Sequence, residues 1–375
     1  MAFISGFGST RASPCNGSVL CTTGFRRRVC LRPVSCTSVG ENVNDKGNGA
    51  YALRDVSFRA KKGSALDGDY AATLLELGVD QDSQERVLMD FSELLRSLSI
   101  ETRSMRRLSN KPDTLSVEIN LTFNPEDEET TRQAFREFSD TNGVDCVLQK
   151  DTAQRRMKRL AMFDLDSTLI QMETADTIAR HVGKGEECAV ITQRAMNGEI
   201  RFEDSLFQRV RLLKGVDVEA LDSVKQKVPY TAGAQRLMRV LSNLGCTTCV
   251  CSGGFTFLTD HVRDTLKMDA SFSNTLGLED RKLTGEVLGQ IVDAERKKDI
   301  LINVRTFLKV HPDQVLAVGD GANDIPMLEE AGLGVGFNAK EIVKQTVKAK
   351  IDQPSMDSIL YLLGLDDSDI AALGG

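Results

Sequence analysis

The stretch Met162-Phe163-Asp164-Leu165-Asp166-Ser167-Thr168-Leu169-Ile170 ends an apolar run in two carboxylates that lie one residue apart. An apolar run of this kind is typical of a buried strand in an open α/β sheet, where ligands bind beyond the carboxyl ends of the strands. On a strand, Asp164 and Asp166 point to the same side and lie about 7 Å apart. Because carboxylates this close repel each other, they predict either a divalent cation between them or an acid and a nucleophile with separate roles.

Three further motifs place polar or glycine residues where this chemistry needs them. Val318-Gly319-Asp320-Gly321-Ala322-Asn323-Asp324 sets carboxylates on a turn that is loosened by its glycines. Cys249-Val250-Cys251-Ser252-Gly253-Gly254 ends a strand in a hydroxyl and two glycines, whose N–H groups could cradle a phosphate. Lys297, which lies 23 residues before Asp320, could neutralise charge on a phosphoryl group.

Taken in order, the four motifs resemble the signature motifs of the haloacid dehalogenase superfamily of phosphatases, over residues 158–365. Within that superfamily the pattern is similar to the phosphoserine phosphatases. The features that carry this closer resemblance are Asp164 to Ile170, Glu173 nine residues after Asp164, the segment Phe202–Val210 and the hairpin turn Leu283–Gly285. The resemblance implies an α/β fold with a Rossmann-like parallel sheet and a helical cap inserted at about residues 171–228.

The same resemblance implies Mg²⁺-dependent hydrolysis of O-phospho-L-serine to L-serine and phosphate, the last step of serine biosynthesis. It makes Asp164 the nucleophile that forms an aspartyl-phosphate and Asp166 the general acid and base, roles that carboxyl groups can fill. The implied Mg²⁺ ligands are Asp164, Asp320 and the backbone carbonyl of Asp166.

The resemblance also assigns the residues that bind the substrate. Glu173 would bind the ammonium group of phosphoserine and Arg209 its carboxylate, since arginine suits bidentate carboxylate recognition. The remaining assigned residues are Ser252, Gly253 and Lys297 around the phosphoryl oxygens, Asn323 with Asp324 in support, and Met196 and Phe202 along the closed pocket.

Two other functions stay open from the residues alone. A phosphatase or phosphotransferase for another small phosphorylated metabolite, such as phosphohomoserine, would share the chemistry of Asp164 and Asp320 but would not need Glu173 and Arg209 together. A catalytically inactive amino-acid sensor is the third hypothesis, and the intact catalytic set argues against it. Each motif alone has an ordinary structural explanation, such as a solvated turn or a weak surface ion pair. Their joint occurrence in order favours an active site.

Composition and motif spacing argue against nucleic acid, a membrane, a dinucleotide and zinc as partners, which leaves a small molecule. The chain of 375 residues has a net charge of −7, no tryptophan and 5% aromatic residues, so stacking on nucleic acid finds little support. No apolar run reaches the roughly 18 residues that span a bilayer. Gly332–Gly336 lacks the spacing of a dinucleotide-binding motif, and Cys246–Cys251 has no second cysteine pair to complete a zinc site.

The first 40 residues differ from the rest of the chain. They contain five arginines but no Asp, Glu or Lys. Such a leader, rich in Ser and Thr, is typical of an organelle transit peptide and favours the plastid (chloroplast) stroma, with the mitochondrion as the alternative. Residues 41–66 resemble a polar linker.

The hydrophobic pattern of residues 67–150 predicts a smaller domain. Its elements follow the order β-α-β-β-α-β, which is the ferredoxin-like arrangement. It resembles the ACT-type amino-acid-binding domains that are attached to some phosphoserine phosphatases. Serine sensing and formation of a homodimer are the functional hypotheses, and a packing domain without a ligand is the alternative.

Overall fold

The computed structural model describes residues 69–196 and 199–375. Of Met196 it describes the backbone but not the side chain. The predicted transit peptide (1–40) and linker (41–66) lie outside these residues and stay predictions. None of the helices in the described part of the chain is long and apolar enough to cross a membrane.

A four-stranded module comes first. Its elements are β1 (Asp69–Leu77), α1 (Gln81–Ser97), β2 (Glu101–Arg107), β3 (Thr114–Thr122), α2 (Glu128–Asn142) and β4 (Asp145–Lys150). The strand order β2-β3-β1-β4 and the antiparallel pairing confirm the ferredoxin-like prediction. Helix α1 begins where the Asp80 side chain accepts a hydrogen bond from the backbone N–H of Ser83. Its Phe91 packs edge-on against Phe135 of α2, which fixes both helices on one face of the sheet. An ACT-like ligand site and a homodimer stay predictions.

The seven-stranded module begins after the short helix α3 (Ala153–Arg156). Its first strand, β5 (Leu160–Phe163), is followed by four cap helices, α4 (Thr174–His181), α5 (Gly185–Met196), α6 (Phe202–Leu212) and α7 (Val218–Lys225). The chain continues through α8 (Ala234–Asn243), β6 (Thr247–Phe255), α9 (Thr256–Leu266), β7 (Ala270–Glu279), β8 (Lys282–Leu288), α10 (Ala294–Leu308), β9 (Val315–Gly319), α11 (Ile325–Glu330), β10 (Leu333–Phe337), α12 (Glu341–Thr346), β11 (Ala349–Ile351), α13 (Ile359–Leu362) and α14 (Asp367–Ala372).

The strand order β11-β10-β9-β5-β6-β7-β8 confirms the predicted parallel sheet, to which only the β7–β8 hairpin adds an antiparallel pair. Strand β5 is apolar at every position because both faces of the sheet are covered. Ala161 and Phe163 belong to one hydrophobic core, and Leu160 and Met162 to another.

Two local predictions in this module were wrong. As the final apolar run of the sequence, Leu333–Phe337 predicts a strand at the edge of the sheet, but β11 pairs with it and takes the edge position. Leu283–Gly285 was expected to form a hairpin turn, but it lies inside β8. The chain turns instead at Asp280 and Arg281, whose φ values of 48° and 63° give the two left-handed residues that a two-residue hairpin favours.

One buried carboxylate ties the two modules together. Glu118 of β3 is 2% exposed and pairs with Arg155, with Arg156 at 3.0 Å and with Arg106 at 3.2 Å. Arg106 donates a further hydrogen bond of 2.7 Å to the carbonyl of Gly364 in the seven-stranded module. Burial by itself would raise the pKa of the Glu118 carboxyl, but the arginines overcome this effect and hold it below its ordinary value. The polar face of β3 is therefore an interface rather than a solvated surface.

We expect Glu118→Gln to lower the free energy of unfolding by about 3 kcal/mol, because it leaves the buried Arg155 with only Asp151, at 3.3 Å, as an ion-pair partner and also removes the pairs with Arg106 and Arg156. Urea denaturation followed by far-ultraviolet circular dichroism measures the loss. Glu101→Gln, at an exposed position of β2, is the matched control and should change stability by at most about 0.5 kcal/mol. Equal effects of the two substitutions would contradict the role of Glu118.

Candidate active site

The polar motifs meet at one edge of the seven-stranded sheet. Asp164 follows β5, Ser252 lies near the end of β6 and Asp320 follows β9. These three strands are neighbours and run parallel, so their carboxyl ends bring the side chains together. Beyond Asp166 the chain turns back through Ser167, whose φ of 58° is left-handed, and this turn starts the path into the cap.

Lys297 of α10 holds the centre of the site. Its Nζ lies 2.7 Å from Oδ1 of Asp164 and 2.7 Å from Oδ1 of Asp324. All three side chains are buried. Burial alone would lower the pKa of the Lys297 ammonium, but the two carboxylates raise it above its ordinary value, so the lysine stays charged. Burial and the neighbouring Asp324 raise the pKa of Asp164, since one ammonium serves two carboxylates.

Three buried carboxylates form the candidate metal centre. One oxygen each from Asp164, Asp320 and Asp324 lies within 4.8 Å of the other two. Burial, and after it the charge of Asp324, raise the pKa of Asp320 to about 6. The three carboxylates face two ammonium groups, those of Lys297 and Lys340. A hard oxygen donor set with surplus negative charge fits Mg²⁺.

The loop of Asp320 folds tightly around Asp324. Oδ2 of Asp324 accepts a hydrogen bond of 3.1 Å from the backbone N–H of Gly321. A Cβ atom on Gly319 would lie 2.5 Å from the same carboxylate, so this position needs glycine. Gly319 therefore makes room for the side chain of Asp324.

Asp166 points away from the carboxylate cluster. Its Oδ2 accepts a hydrogen bond of 3.0 Å from the backbone N–H of Thr174, and its Oδ1 accepts one from the Thr174 hydroxyl. Burial, and after it the charge of Glu173, raise the pKa of Asp166 to about 7. A carboxyl group with such a pKa suits proton transfer near neutral pH. Its side chain is outside the metal cluster, so its metal role stays a prediction for the backbone carbonyl.

A cavity of ≈ 160 Å³ opens above these groups and is lined by most of the residues expected from the sequence. They are Asp164, Asp166, Glu173, Phe202, Arg209, Ser252, Gly253, Asp320 and Asn323. Lys297 and Asp324 lie beneath the cavity, in contact with Asp164 and with each other. Met196 ends α5, and its side chain is outside the described part of the structure.

The cap brings two opposite charges to the cavity. Glu173, just before α4, accepts a hydrogen bond of 3.0 Å from the Ser167 hydroxyl. Nε of Arg209, on α6, is buried and has no hydrogen-bond partner within the described residues. Arg209 also lines the cavity, so its guanidinium group lies at the place where a ligand would bind. Phe202 packs so closely on Gly253 that a Cβ there would lie 3.0 Å from its ring.

Sequence reasoning missed three supporting residues. Thr174 holds Asp166, and its place directly after Glu173 at a helix start was the available signal. Asn274 donates a hydrogen bond of 2.8 Å to the carbonyl of Gly253 and accepts one of 2.8 Å from Val292 N–H. Lys340 lines the cavity with its Nζ 3.8 Å from Oδ2 of Asp320. Nothing in the local sequence of Asn274 or Lys340 indicates these contacts.

The fold and this site define a haloacid dehalogenase-like hydrolase, and the model of that family matches residues 158–332. The chain is 38% identical to a probable phosphoserine phosphatase of Schizosaccharomyces pombe, over 77% of this chain and 94% of the relative. It is 39% identical to a phosphoserine phosphatase of Archaeoglobus fulgidus, over 67% of this chain and 73% of the relative. The chain therefore belongs to the phosphoserine phosphatase family and is a phosphoric monoester hydrolase.

A solved structure of another protein is also similar to this chain. A phospho-aspartyl intermediate analogue of phosphoserine phosphatase superimposes with a TM-score of 0.52 and 39% identity. It covers 54% of this chain and 97% of its own. The matching fold indicates which reaction to test on this site.

We expect Thr174→Val to lower kcat about tenfold and to leave KM nearly unchanged. The substitution keeps the volume but removes the hydroxyl that orients Asp166, and Thr174 does not line the cavity. Steady-state phosphate release measures both constants. Thr177→Val, in the same helix and outside the cavity, is the matched control and should leave both unchanged. A rise in KM at constant kcat would contradict this role for Thr174.

Proposed function

We propose that the protein hydrolyses O-phospho-L-serine to L-serine and phosphate, with Mg²⁺ and through an aspartyl-phosphate on Asp164. One observation carries the proposal: a single small cavity is lined by Asp164 and Asp320 of the buried cluster and by Glu173 and Arg209 of the cap. The cluster suits a phosphoryl group. Glu173 and Arg209 suit the ammonium and carboxylate of an amino acid.

The geometry supports Asp164 as the nucleophile. Lys297 donates a hydrogen bond to Oδ1 of Asp164, so Oδ2 is the oxygen that remains free to attack phosphorus. Attack forms the bond between Asp164 and phosphorus while the bond from phosphorus to the serine oxygen breaks. Lys297, Ser252 and Gly253 surround the place where the equatorial oxygens would lie and offer an ammonium, a hydroxyl and a backbone N–H to them.

Asp166 supports both proton transfers. Protonated, it donates its proton to the serine oxygen as that oxygen leaves. As a carboxylate, it then takes a proton from the water that attacks phosphorus, which releases phosphate and regenerates Asp164. Thr174 holds the carboxyl group in one orientation through both steps.

Asp164 and Asp320, with Asp324 beside them, are the side chains that would hold Mg²⁺. When bound, the ion would supply positive charge to the phosphoryl oxygens and offset the surplus carboxylates of the cluster. Lys297 would keep Asp164 and Asp324 from repelling each other in either case.

The cap supports the choice of substrate. A carboxylate on the ligand would give Arg209 Nε the acceptor that it lacks among the described residues, and an ammonium group would meet Glu173. The cavity of ≈ 160 Å³ favours a small ester, and Phe202 closes it beside Gly253, which limits the access of water to the aspartyl-phosphate.

The test compares phosphate release from O-phospho-L-serine, phosphothreonine, phosphohomoserine and p-nitrophenyl phosphate in the presence of Mg²⁺. We expect the wild type to prefer O-phospho-L-serine. Arg209→Ala should lower kcat/KM for O-phospho-L-serine roughly 10- to 150-fold, because a charge-assisted hydrogen bond is lost, and should affect p-nitrophenyl phosphate much less.

Arg211→Ala is the matched control, since Arg211 is exposed one half-turn further along the same helix and does not line the cavity. Equal losses on both esters in Arg209→Ala would remove Arg209 from substrate choice. A wild-type preference for phosphohomoserine would replace the substrate and keep the chemistry. If none of the four esters is hydrolysed, the result would favour the hypothesis of a catalytically inactive amino-acid sensor.

A further inference from the structure

A second cavity, of ≈ 520 Å³, lies between the two modules. The four-stranded module contributes the start of α2 and the end of β4. The seven-stranded module contributes residues around α11 and the start of β10, and residues 346–349. We refer to this space as the intermodule cleft. Its volume is in the range of about 300–1,000 Å³ that is usual for small-molecule sites.

The cleft lies at the end of the sheet opposite to the active site. Lys158 precedes β5 and Asp313 precedes β9, whose carboxyl ends lead into Asp164 and Asp320. The residues that line the cleft and those that line the catalytic cavity have no member in common. The two sites are therefore separate.

Basic side chains outnumber acidic ones around the cleft. Five are basic (Arg132, Lys150, Arg155, Lys158 and Lys348) and three are acidic (Glu128, Asp313 and Glu329). Glu128 is shared by Arg132 at 2.8 Å and Lys150 at 3.4 Å, and Arg155 is committed to Glu118 and Asp151. Lys158 and Lys348 have no ion-pair partner in residues 69–196 and 199–375. The unneutralised charge of the cleft is positive.

Lys158 is the unusual member of this set. It is 4% exposed, and its Nζ donates a hydrogen bond of 2.7 Å to the backbone carbonyl of Asp313. A carbonyl is neutral and uses one of the three N–H donors of the ammonium. Burial lowers the pKa of Lys158 to about 8, so the group still carries its charge at neutral pH. The Asp313 carboxylate offsets this burial in part but forms no ion pair with Lys158, and an anion in the cleft would offset the remaining cost.

We propose that the intermodule cleft is a binding site for a small anion, whose carboxylate or phosphate group pairs with Lys158. Such a ligand contacts both modules at once, since Arg132 and Lys150 come from one and Lys158 and Lys348 from the other side of the cleft. The site does not depend on the proposed substrate, and its test is separate from the test of the reaction.

The test is calorimetric titration of the metal-free full-length protein with inorganic phosphate and, separately, with malonate. Without metal, the catalytic region is less favourable for anions, because five carboxyl groups (Asp164, Asp166, Glu173, Asp320 and Asp324) face three cations (Arg209, Lys297 and Lys340), and the variants below separate any binding there from binding in the cleft. We expect one saturable site per chain. Binding of phosphate alone, malonate alone or both identifies which anionic group the cleft takes.

Lys158→Met should weaken that binding about tenfold or more, because it removes a charge-assisted hydrogen bond. Lys348→Glu reverses a charge at an exposed position of the cleft, where we expect the fold to tolerate it. This variant should weaken binding severalfold at low salt. Lys282→Met, on the exposed surface of β8, is the matched control and should bind as the wild type does. The proposal is overturned if the wild type shows no saturable binding, or if the Lys158 and Lys348 variants bind like the control.

Discussion

The contact of Lys297 with Asp164 and Asp324 is the constraint on which the active site depends. One ammonium lies 2.7 Å from each of two buried carboxylates, and without it both would be unpaired charges in the interior of the protein. Because α10 carries the lysine and the ends of β5 and β9 precede the aspartates, the pairing also fixes helix and strands relative to one another. The site can therefore hold buried charged side chains in fixed positions.

The helical cap contributes two further residues to the site. Thr174 at the start of α4 holds Asp166, and Arg209 on α6 lines the same cavity. In the proposed function, the groups for phosphoryl chemistry lie at the ends of the strands and on α10, and those that would recognise the rest of the substrate lie on the insertion. Such a division lets one reaction serve different substrates through changes in the cap.

Most of the catalytic side of the site could be predicted from the sequence because each residue comes at the end of an apolar run, as Asp164, Ser252 and Asp320 do. Asn274 and Lys340 could not, because their contacts arise only when separate loops pack together. The sheet edge was missed because Ala349–Ile351 has three residues, too few for a recognisable strand pattern. The burial of Glu118 depends on the packing of two modules, which alternation along β3 does not reveal.

The central claim is that Asp164 receives the phosphoryl group. The most direct measurement is an acid quench of the Mg²⁺-loaded wild type during turnover of ³²P-labelled O-phospho-L-serine, followed by mass spectrometry of the labelled peptide. The account predicts hydroxylamine-labile phosphate on Asp164 and none in the Asp164→Asn variant. Label on another residue, or phosphate release by Asp164→Asn at the wild-type rate, would contradict it.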